Sequence, residues 1–457
     1  MVTRGLPRTL LLPVETTNRE FDGKLLLALK ALDLGYDPII GNKTAMHAVL
    51  PSLPKSIYLA KGARCASART VSLLEALGHV IVALDEEALV RQPDDVFHMK
   101  LDPVTFNIPR LLYAWGKSNA DVWRSFKDYG GAPILEVGNL RLDMLRPGIR
   151  EFYRKDCEAL RREHGRFVLL SSNFAFVNHF IPGHVRHRVA KTANKAKSEA
   201  FKSGFAEHKR ALFAYFLALV PQLAAAIAPH ILLIRPHPSE NAAAWHGAAA
   251  GLKNVKVLHE GPMTPWLMAA DLLIHNGCTS AIEASILGTP VFAYCPLQSG
   301  YDLELPNSLS DVFREAEALV ETCQLRLSQP FAHFEGPTPQ QCNVLDRHIE
   351  SLDGPLTADR ILSSFDEFHS LLVKQGVVSL SAKLGPLWQH YLGKAYRMVS
   401  TRIKTSRSRR DYTKHKFPSM TIGQVEEKIR TLEKILKSAV PARVEQVKPN
   451  IYRLVRG

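Results

Sequence analysis

The sequence predicts an α/β fold built from two parallel sheets, and three observations support this prediction. Short apolar segments alternate with helical patterns through most of residues 8–300. The apolar segments are nearly continuous, as in parallel strands that helices cover on both faces. The pair Pro147–Gly148 interrupts the alternation and divides it into two halves, which indicates two domains.

The first half, residues 1–147, is predicted to form one Rossmann-like domain. Its strand candidates are RTLLLPVE, DPIIGN, SIYLAK, HVIVALDEE, LLYAWG and PILEVGN. Helical patterns lie between several of them, for example Phe21–Gly35, which ends in a glycine, and Ala68–Gly78. Alternation of this kind is typical of a parallel sheet with helices on both faces.

The second half, residues 148–330, repeats the pattern with the strand candidates RFVLLSSNF, ILLIRPHP, VKVLHE, DLLIHN and PVFAY. An insert over residues 176–221 has helical character, and so does Asp311–Leu327. Two Rossmann-like domains that face each other across a cleft form the architecture called GT-B. Residues 331–395 are predicted to add a loop and closing helices, among them Pro355–Leu372, and residues 396–457 a basic helical extension.

The formal net charge of +14 is concentrated near the C-terminus. Residues 396–457 hold 16 Lys or Arg and 5 Asp or Glu, so about +11 of the charge lies there. The remainder is nearly neutral, which argues against a nucleic-acid footprint, and no nucleic-acid partner is expected. Basic residues interspersed with Tyr, Phe and Ile favour contact with an anionic membrane surface, at roughly 1 kcal/mol per basic residue. The alternative is a solvated tail without a partner.

The composition is that of an ordinary globular protein, with 46% hydrophobic and 22% charged residues among 457. No run of about 18 apolar residues occurs, so no membrane-spanning segment is expected. The N-terminal apolar segment is too short for a secretory signal and is better interpreted as a first buried strand. The six cysteines lack CxxC spacing, which favours a reduced cytosolic compartment and no zinc site.

Polar groups follow two buried strands between Ile231 and Tyr294, where an open α/β sheet binds its ligands. In CTSAIEAS, small and hydroxyl residues begin a helix, whose free N–H groups and dipole attract an anion. Thr279 and Ser280 are therefore candidate phosphate donors. Glu283, one turn further on, is a candidate for binding ribose hydroxyls. The alternative is a simple N-cap followed by a surface glutamate.

His237 lies between two prolines at the end of the other strand, in RPHPSE. It is a candidate donor to the same phosphate or to the base, and its alternative role is that of a turn histidine. Arg235 and Asn276, at the ends of the two strands, complete the predicted nucleotide-binding set.

The segments RPHPSE and HNGCTSAIEASILGTPVFAY resemble the His-Pro and Ser-Ser type motifs of bacterial capsule and surface-polysaccharide glycosyltransferases of GT-B fold. These include polysialyltransferases, capsule Kdo transferases and, more remotely, CDP-glycerol polymerases. The N-terminal segments LLPVETTNREFDGKLLLA, VALDEEAL, VGNLRLDMLRP and LLSSNF resemble surface carbohydrate biosynthesis proteins, which are similar to retaining β-Kdo transferases. The resemblance spans roughly residues 8–300.

The resemblance implies that His237 and the pair Thr279–Ser280 bind the phosphate of CMP and that Glu283 binds its ribose. Thr-Ser stands where polysialyltransferases have paired serines, a departure that keeps both hydroxyls. A retaining transferase also needs a nucleophile and an acid/base group. Asp143, in the loop between the domains, is the candidate nucleophile, and a helix-capping aspartate is the alternative.

Glu86 and Glu87 are candidates for the base that deprotonates the acceptor hydroxyl, because they follow a strand directly. The alternative is a pair of exposed acidic residues that open a helix. Lys61 and Glu15 are further cleft candidates. Three residues are candidates for holding the carboxylate or hydroxyls of the sugar, the arginine because its planar fork fits a carboxylate: Asn139, Arg141 and Asn173.

The expected function is transfer of Kdo or a related ulosonic acid from a CMP-sugar to a saccharide acceptor, free or lipid-linked, in bacterial surface polysaccharide synthesis. No DxD motif occurs, so no metal or other cofactor is expected. The expected location is cytoplasmic, peripheral on the inner face of the inner membrane. The alternatives are a UDP-sugar or CDP-glycerol transferase, a UDP-sugar epimerase and a non-catalytic polysaccharide assembly partner.

Overall fold

The computed structural model describes residues 5–62, 68–90, 93–181, 195–331, 335–373, 380–400, 416–438 and 440–457. Its strands form one eight-stranded and one six-stranded sheet. In chain order the strands are β1 Thr9–Val14, β2 Asp37–Asn42, β3 Ser56–Ala60, β4 Val80–Leu84, β5 Leu111–Ala114, β6 Ile134–Glu136, β7 Phe167–Ser171, β8 Ile231–Arg235, β9 Val255–Val257, β10 Leu272–His275, β11 Val291–Tyr294, β12 Asp311–Phe313, β13 Ala442–Lys448 and β14 Ile451–Arg456.

Helices connect the strands and cover the sheets. In chain order the α-helices are α1 Thr17–Asp33, α2 Lys43–Val49, α3 Ala68–Leu77, α4 Asp94–His98, α5 Pro103–Phe106, α6 Lys117–Arg124, α7 Leu140–Asp143, α8 Arg154–His164, α9 Lys195–Ile227, α10 Ala243–Ala248, α11 Met263–Ala269, α12 Thr279–Leu287, α13 Glu304–Ser308, α14 Ala316–Ser328, α15 Pro339–Leu345, α16 Thr357–Glu367, α17 His369–Val373, α18 Leu380–Ser400 and α19 Ile422–Leu436.

The first sheet, in the N-terminal domain, has the strand order β13-β14-β2-β1-β3-β4-β5-β6. Strands β1 to β6 pair in parallel. Every residue of β1, β3, β4 and β5 is buried. Burial on both faces explains why these strands are continuous apolar runs in the sequence.

The second sheet, in the C-terminal domain, has the order β12-β11-β10-β7-β8-β9, and all its pairings are parallel. The two Rossmann-like sheets confirm the predicted α/β architecture. One element differs from the prediction, because β12 pairs with β11 and the helix predicted over Asp311–Leu327 begins only at Ala316.

The end of the chain returns to the N-terminal domain, which the sequence pattern did not predict. The antiparallel hairpin β13–β14 adds to the first sheet, with β14 antiparallel to β2. Tyr452 and Leu454 are buried in the core that α1, α16 and α19 share, whereas Ile451 is buried in the core on the other face of the sheet. Alternating apolar residues in IYRLVR bury one face of β14, so this part of the basic extension is an edge of the sheet. Within the predicted basic extension, residues 401–415 lie outside the described residues.

Helix α9 is long and apolar enough from Phe201 to Ile227 to cross a membrane by length and composition alone. In the structure, however, one face of this helix packs into the core of the C-terminal domain. Phe216, Leu219 and Leu223 are buried there with residues of β7, β8 and β10. The core of a globular domain therefore accounts for the apolar character of this helix.

Candidate functional site

The loop from β10 into α12 carries the predicted phosphate-binding residues. Gly277 has φ +84°, a conformation that favours glycine and turns the chain sharply into the helix. The Ser280 hydroxyl lies 3.0 Å from the Ser171 hydroxyl at the end of β7 and 3.0 Å from Cys278 Sγ. Thr279 and Ser280 are half-buried beside the first N–H groups of α12, which lack partners within the helix. This end of the helix can donate several hydrogen bonds to an anion.

His237 lies half-buried at the end of β8, which β7 separates from β10 in the sheet. The backbone N–H of Ser239 donates to His237 Nδ1 at 3.1 Å. Because Nδ1 accepts, the neutral ring carries its proton on Nε2, as a donor to a phosphate would.

Arg235 has a structural role that differs from the predicted contact with a nucleotide. Its side chain is buried, and its guanidinium donates to the carbonyl oxygens of Glu260 at 2.6 Å and Gly261 at 3.0 Å. The guanidinium also lies 4.8 Å from the centre of the Trp266 ring. Burial lowers the pKa of Arg235 to about 9. The residue fixes the loop after β9 and does not point its donors at a ligand.

Glu240, which sequence reasoning did not select, ties the ends of β7 and β8 together. Its buried carboxylate accepts hydrogen bonds from the Ser172 hydroxyl at 2.9 Å, the Phe174 N–H at 2.7 Å and the Trp245 indole at 3.1 Å. The N–H of His237 also donates to it, at 3.3 Å. Burial raises the pKa of Glu240. The one sequence signal was an acidic residue three positions after the histidine.

Asn173, just after β7, and Asn276 orient the loop from β10 into α12, which we call the phosphate loop. The Asn173 amide donates to the Gly277 carbonyl at 2.9 Å, and the Asn276 amide donates to the Asn173 carbonyl at 3.4 Å. Lys209 Nζ, from α9, donates to the Asn276 carbonyl at 3.3 Å. These contacts orient the loop, so the two asparagines shape the site that they were predicted to line.

In the N-terminal domain, Glu86 is buried within an ion-pair network. Its carboxylate lies 3.3 Å from Lys24 Nζ and accepts from the Asn139 amide at 3.4 Å. Lys24 also pairs with Glu20 at 3.1 Å. Asn139 is itself buried, with its oxygen accepting from the N–H of Arg141, so its predicted contact with the sugar does not fit. Glu86 likewise has a structural role in the buried network beneath the site.

Glu87 is the more exposed of the two predicted bases. It is half-buried, and its N–H donates to the carboxylate of Asp85 at 2.9 Å. Its charge is among those that raise the pKa of Lys61, whose burial alone would lower it. Of the predicted pair, Glu87 is therefore the one that a substrate can reach.

Glu15, at the end of β1, is surrounded by three ammonium groups. Lys61 lies 2.9 Å from its carboxylate, Lys416 3.2 Å and Lys43 3.3 Å. Burial alone would raise the pKa of Glu15, but these three cations hold it well below its usual range. A carboxylate stabilised this way as an anion is a poor proton acceptor, so Glu15 is not a suitable general base.

Asp143 does not fit the predicted role of nucleophile. Its side chain is 0% exposed, and its two carboxylate oxygens accept from the backbone N–H groups of Thr357 at 2.9 Å and Ala358 at 3.1 Å. It therefore binds the first turn of α16 and anchors this closing helix. A nucleophile must contact the substrate, and the alternative structural role matches the geometry.

Arg141 and Glu283 meet between the two domains. The Arg141 guanidinium forms an ion pair with the Glu283 carboxylate, and the two side chains are 10% and 7% exposed. Arg141 Nη1 is buried and has no hydrogen-bond partner among the described residues. Glu283 is thus a nearly buried carboxylate paired with an arginine that has an unused donor, and its contact with a ribose stays a prediction.

In the described part of the chain, no group of three or more His, Cys, Asp or Glu side chains is arranged to hold a metal ion. The five cysteines that the structure describes are free.

No protein-family model matches the chain, and no curated protein matches it. The solved structures to which it is similar include the wall teichoic acid polymerase TagF, at 10% identity and a TM-score of 0.49, covering 82% of this chain and 91% of that chain. They also include the UDP-GlcNAc 2-epimerase from Methanocaldococcus jannaschii, at 10% identity and a TM-score of 0.47, covering 79% of this chain and 99% of that chain.

Proposed function

We propose that the protein is a glycosyltransferase that moves an acidic sugar, Kdo or a related ulosonic acid, from a CMP-sugar to a saccharide acceptor in surface polysaccharide synthesis. The observation that carries this proposal is the placement of Glu283 and Arg141 on opposite sides of the cleft. The carboxylate belongs to the domain with the anion-binding helix end, and the guanidinium belongs to the domain with the candidate base.

The C-terminal domain supports nucleotide binding. Thr279 and Ser280 offer hydroxyls beside the N–H groups of α12, and His237 offers a third donor from the end of β8. Hydroxyl, N–H and imidazole donors suit a phosphate, which the positive end of the helix dipole also attracts. Glu283, one turn along the same helix, is placed to accept from the ribose hydroxyls. Because these donors are all supplied by the chain, we expect turnover to persist in EDTA.

The N-terminal domain supports the transfer step. The unused Nη1 of Arg141 is a donor for the carboxylate of an ulosonic acid, which would bring the anomeric carbon into the cleft. Glu87 is the base that would take the proton of the acceptor hydroxyl. With Asp143 buried under α16, the chain offers no nucleophile at the predicted position, so a covalent adduct on Asp143 is not expected.

An exposed apolar face on α18 supports attachment to a membrane. Leu384, Trp388, Tyr391 and Leu392 are 61%, 67%, 54% and 52% exposed and lie on one side of the helix. The sequence that follows is rich in Lys and Arg. An aromatic and aliphatic stripe beside cations suits the interface of an anionic bilayer. We therefore infer a peripheral position on the cytoplasmic face of the inner membrane, where a lipid-linked acceptor would be available.

Co-sedimentation with vesicles tests this attachment. Trp388→Glu should reduce binding to anionic vesicles several-fold, because it places a charge in the apolar stripe. Gln389→Glu, which changes the charge equally at the neighbouring exposed position, is the matched control. Equal loss in both variants would attribute binding to charge alone and remove the role of the stripe.

The function is tested by incubating the protein with CMP-Kdo, a UDP-sugar and CDP-glycerol, each with a saccharide acceptor, and measuring nucleotide release and product mass. The expected result is release of CMP from CMP-Kdo alone, with EDTA present. The double variant Thr279→Val/Ser280→Ala should lose nucleotide binding in a thermal-shift assay, whereas Ser328→Ala, an exposed control, should not. Turnover of UDP-sugar or CDP-glycerol would replace the proposed donor, and nucleotide binding without any turnover would indicate a non-catalytic assembly partner.

A further inference from the structure

His275, the last residue of β10, is a buried histidine that the proposed reaction does not use directly. It is 0% exposed. Burial, together with the nearby charge of Lys209, lowers its pKa to about 3, so the ring is neutral at physiological pH. A neutral imidazole has one N–H donor and one acceptor nitrogen, so its two nitrogens make two different hydrogen bonds.

Two hydrogen bonds fix the tautomer and the orientation of this ring. The backbone N–H of Gly277 donates to Nδ1 at 2.9 Å. Nε2 lies 2.8 Å from the hydroxyl of Ser310, which itself donates to the Pro306 carbonyl at 2.7 Å. Because the Ser310 proton is used in that bond, Nε2 is the donor and the hydroxyl is the acceptor. The imidazole therefore connects the phosphate loop to the segment between α13 and β12.

The bond to Gly277 lies at the turn that leads into α12. A Cβ atom at this position would come within 3.1 Å of the Leu303 side chain, so the turn requires glycine for space as well as for its positive φ. The Gly277 carbonyl accepts from the Asn173 amide at 2.9 Å. Side chains thus hold both the N–H and the carbonyl of this glycine. Fixing the turn in this way sets the direction of the first N–H groups of the helix.

We propose that His275 is a positioning residue for the nucleotide phosphate, and that it acts through the N–H of Gly277. Donors that are fixed before the ligand arrives lose less conformational freedom on binding. The buried ring does not contact the ligand itself, so its effect is confined to the group that the phosphate loop binds. The inference rests on the proposed function, because it requires a phosphate at the start of α12.

Calorimetric titration of the full-length protein with CMP and with cytidine tests this role, because the two ligands differ only in the phosphate. Wild type should prefer CMP. His275→Leu removes both bonds of the ring and should weaken CMP binding by about tenfold, the size expected when a hydrogen bond to a charged group is lost. Its affinity for cytidine should be unchanged.

Two milder variants separate the two bonds. His275→Asn should recover part of the preference for CMP, because an asparagine oxygen can accept from the N–H two residues later, as in an Asx-turn. Ser310→Ala keeps the bond to Gly277 but leaves Nε2 without its acceptor, and it should give a loss between those of wild type and His275→Leu.

The matched control is His79→Leu, in the other domain. His79 is 6% exposed and precedes β4, and its Nδ1 lies 2.6 Å from the Ser56 hydroxyl. This variant also loses a buried, hydrogen-bonded imidazole. It should unfold at a lower temperature than wild type and keep the full preference for CMP over cytidine.

A folded His275→Leu variant with the wild-type preference for CMP would overturn the proposal, as would a His275→Asn variant no better than the leucine one. If His275→Leu does not fold, an unchanged preference in Ser310→Ala has the same consequence. Failure of the proposed function looks different, because wild type would then bind CMP no more tightly than cytidine. A preference that is present in wild type and survives in His275→Leu removes only the role of the histidine.

Discussion

The Arg141 guanidinium contacts the Glu283 carboxylate and so joins α7 of the N-terminal domain to α12 of the C-terminal domain. The ion pair occupies the Glu283 carboxylate in the cleft. A ribose that binds Glu283 must therefore share the carboxylate with Arg141 or displace the guanidinium. Both groups therefore affect ligand binding as well as the contact between domains.

Replacing Glu283 with glutamine should weaken CMP binding about tenfold. The substitution keeps the shape but removes the charge, and a hydrogen bond to a charged group contributes about 1.5–3 kcal/mol. Calorimetric titration with CMP measures the change, and Glu304→Gln, an exposed glutamate outside the cleft, is the control. An unchanged dissociation constant for CMP would show that Glu283 does not contact the nucleotide.

Replacing Arg141 with lysine should affect transfer of the sugar more than binding of the nucleotide. Lysine keeps the positive charge but loses the planar fork, of which Nη1 is the unused donor. We expect CMP affinity to change less than threefold, while kcat/KM for the CMP-ulosonic acid falls at least tenfold. The measurement is steady-state nucleotide release, with Arg124→Lys on the exposed surface as the control. Equal losses in CMP affinity and in turnover would contradict a contact specific to the sugar carboxylate.

Asp143→Asn should change stability and not chemistry. Burial raises the pKa of Asp143 to about 6, against the opposing effect of the Thr357 and Ala358 amides. The folded state therefore binds this proton more tightly than the unfolded state, and wild-type stability falls as the pH rises from about 4 to about 6. At 1.36 kcal/mol per pKa unit, the fall is about 3 kcal/mol.

The asparagine variant lacks this titration, so its stability relative to wild type should rise across the same pH window. Urea unfolding of both proteins at pH 4 and pH 7 measures the difference. A relative stability that falls instead would mean that the helix end and the two amides outweigh burial. Activity should remain in the folded variant, and its loss would restore Asp143 as the nucleophile.

The alternating strands of each domain and the position of the phosphate loop were predictable because they depend on local patterns. Apolar runs followed by polar residues mark the carboxyl ends of parallel strands, and His237, Ser280 and Glu283 all lie there. The roles of individual carboxylates were not predictable in the same way. The partners of Asp143 are 214 and 215 positions away in the sequence, in a helix whose docking site no local pattern reveals.

The same reason explains the other differences between prediction and structure. Lys209 reaches the phosphate loop from a helix more than sixty positions earlier, and Glu240 is recognisable as a tie between strands only when Ser172 is beside it. The C-terminal hairpin was interpreted by its charge, whereas its place in the sheet depends on pairing with β2, at the opposite end of the chain. Long-range pairing, and not local propensity, determined each of these features.

The last prediction concerns the buried ion pairs of Lys24 with Glu20 and Glu86, which stabilise the N-terminal domain beneath the site. Lys24 is 1% exposed and pairs with Glu20 at 3.1 Å and with Glu86 at 3.3 Å. Replacing Lys24 with methionine leaves two buried carboxylates without their shared cation. Breaking a buried pair in this way costs about 3–5 kcal/mol. Urea unfolding at pH 7 should show a loss of this size.

The loss of unfolding free energy in the Lys24→Met variant should be smaller at acidic pH. Burial raises the pKa of Glu20, but the charges of Lys24 and Lys61 outweigh it and lower the pKa to about 2. This depressed pKa contributes stability above about pH 4.5 that wild type loses as the pH falls through about 2, whereas the methionine variant has less of it to lose. Lys30→Met on the same helix removes a more exposed pair with Asp359 and should cost less than about 1 kcal/mol at either pH. Equal losses in the two variants at pH 7 would show that the buried lysine does not hold the carboxylates together.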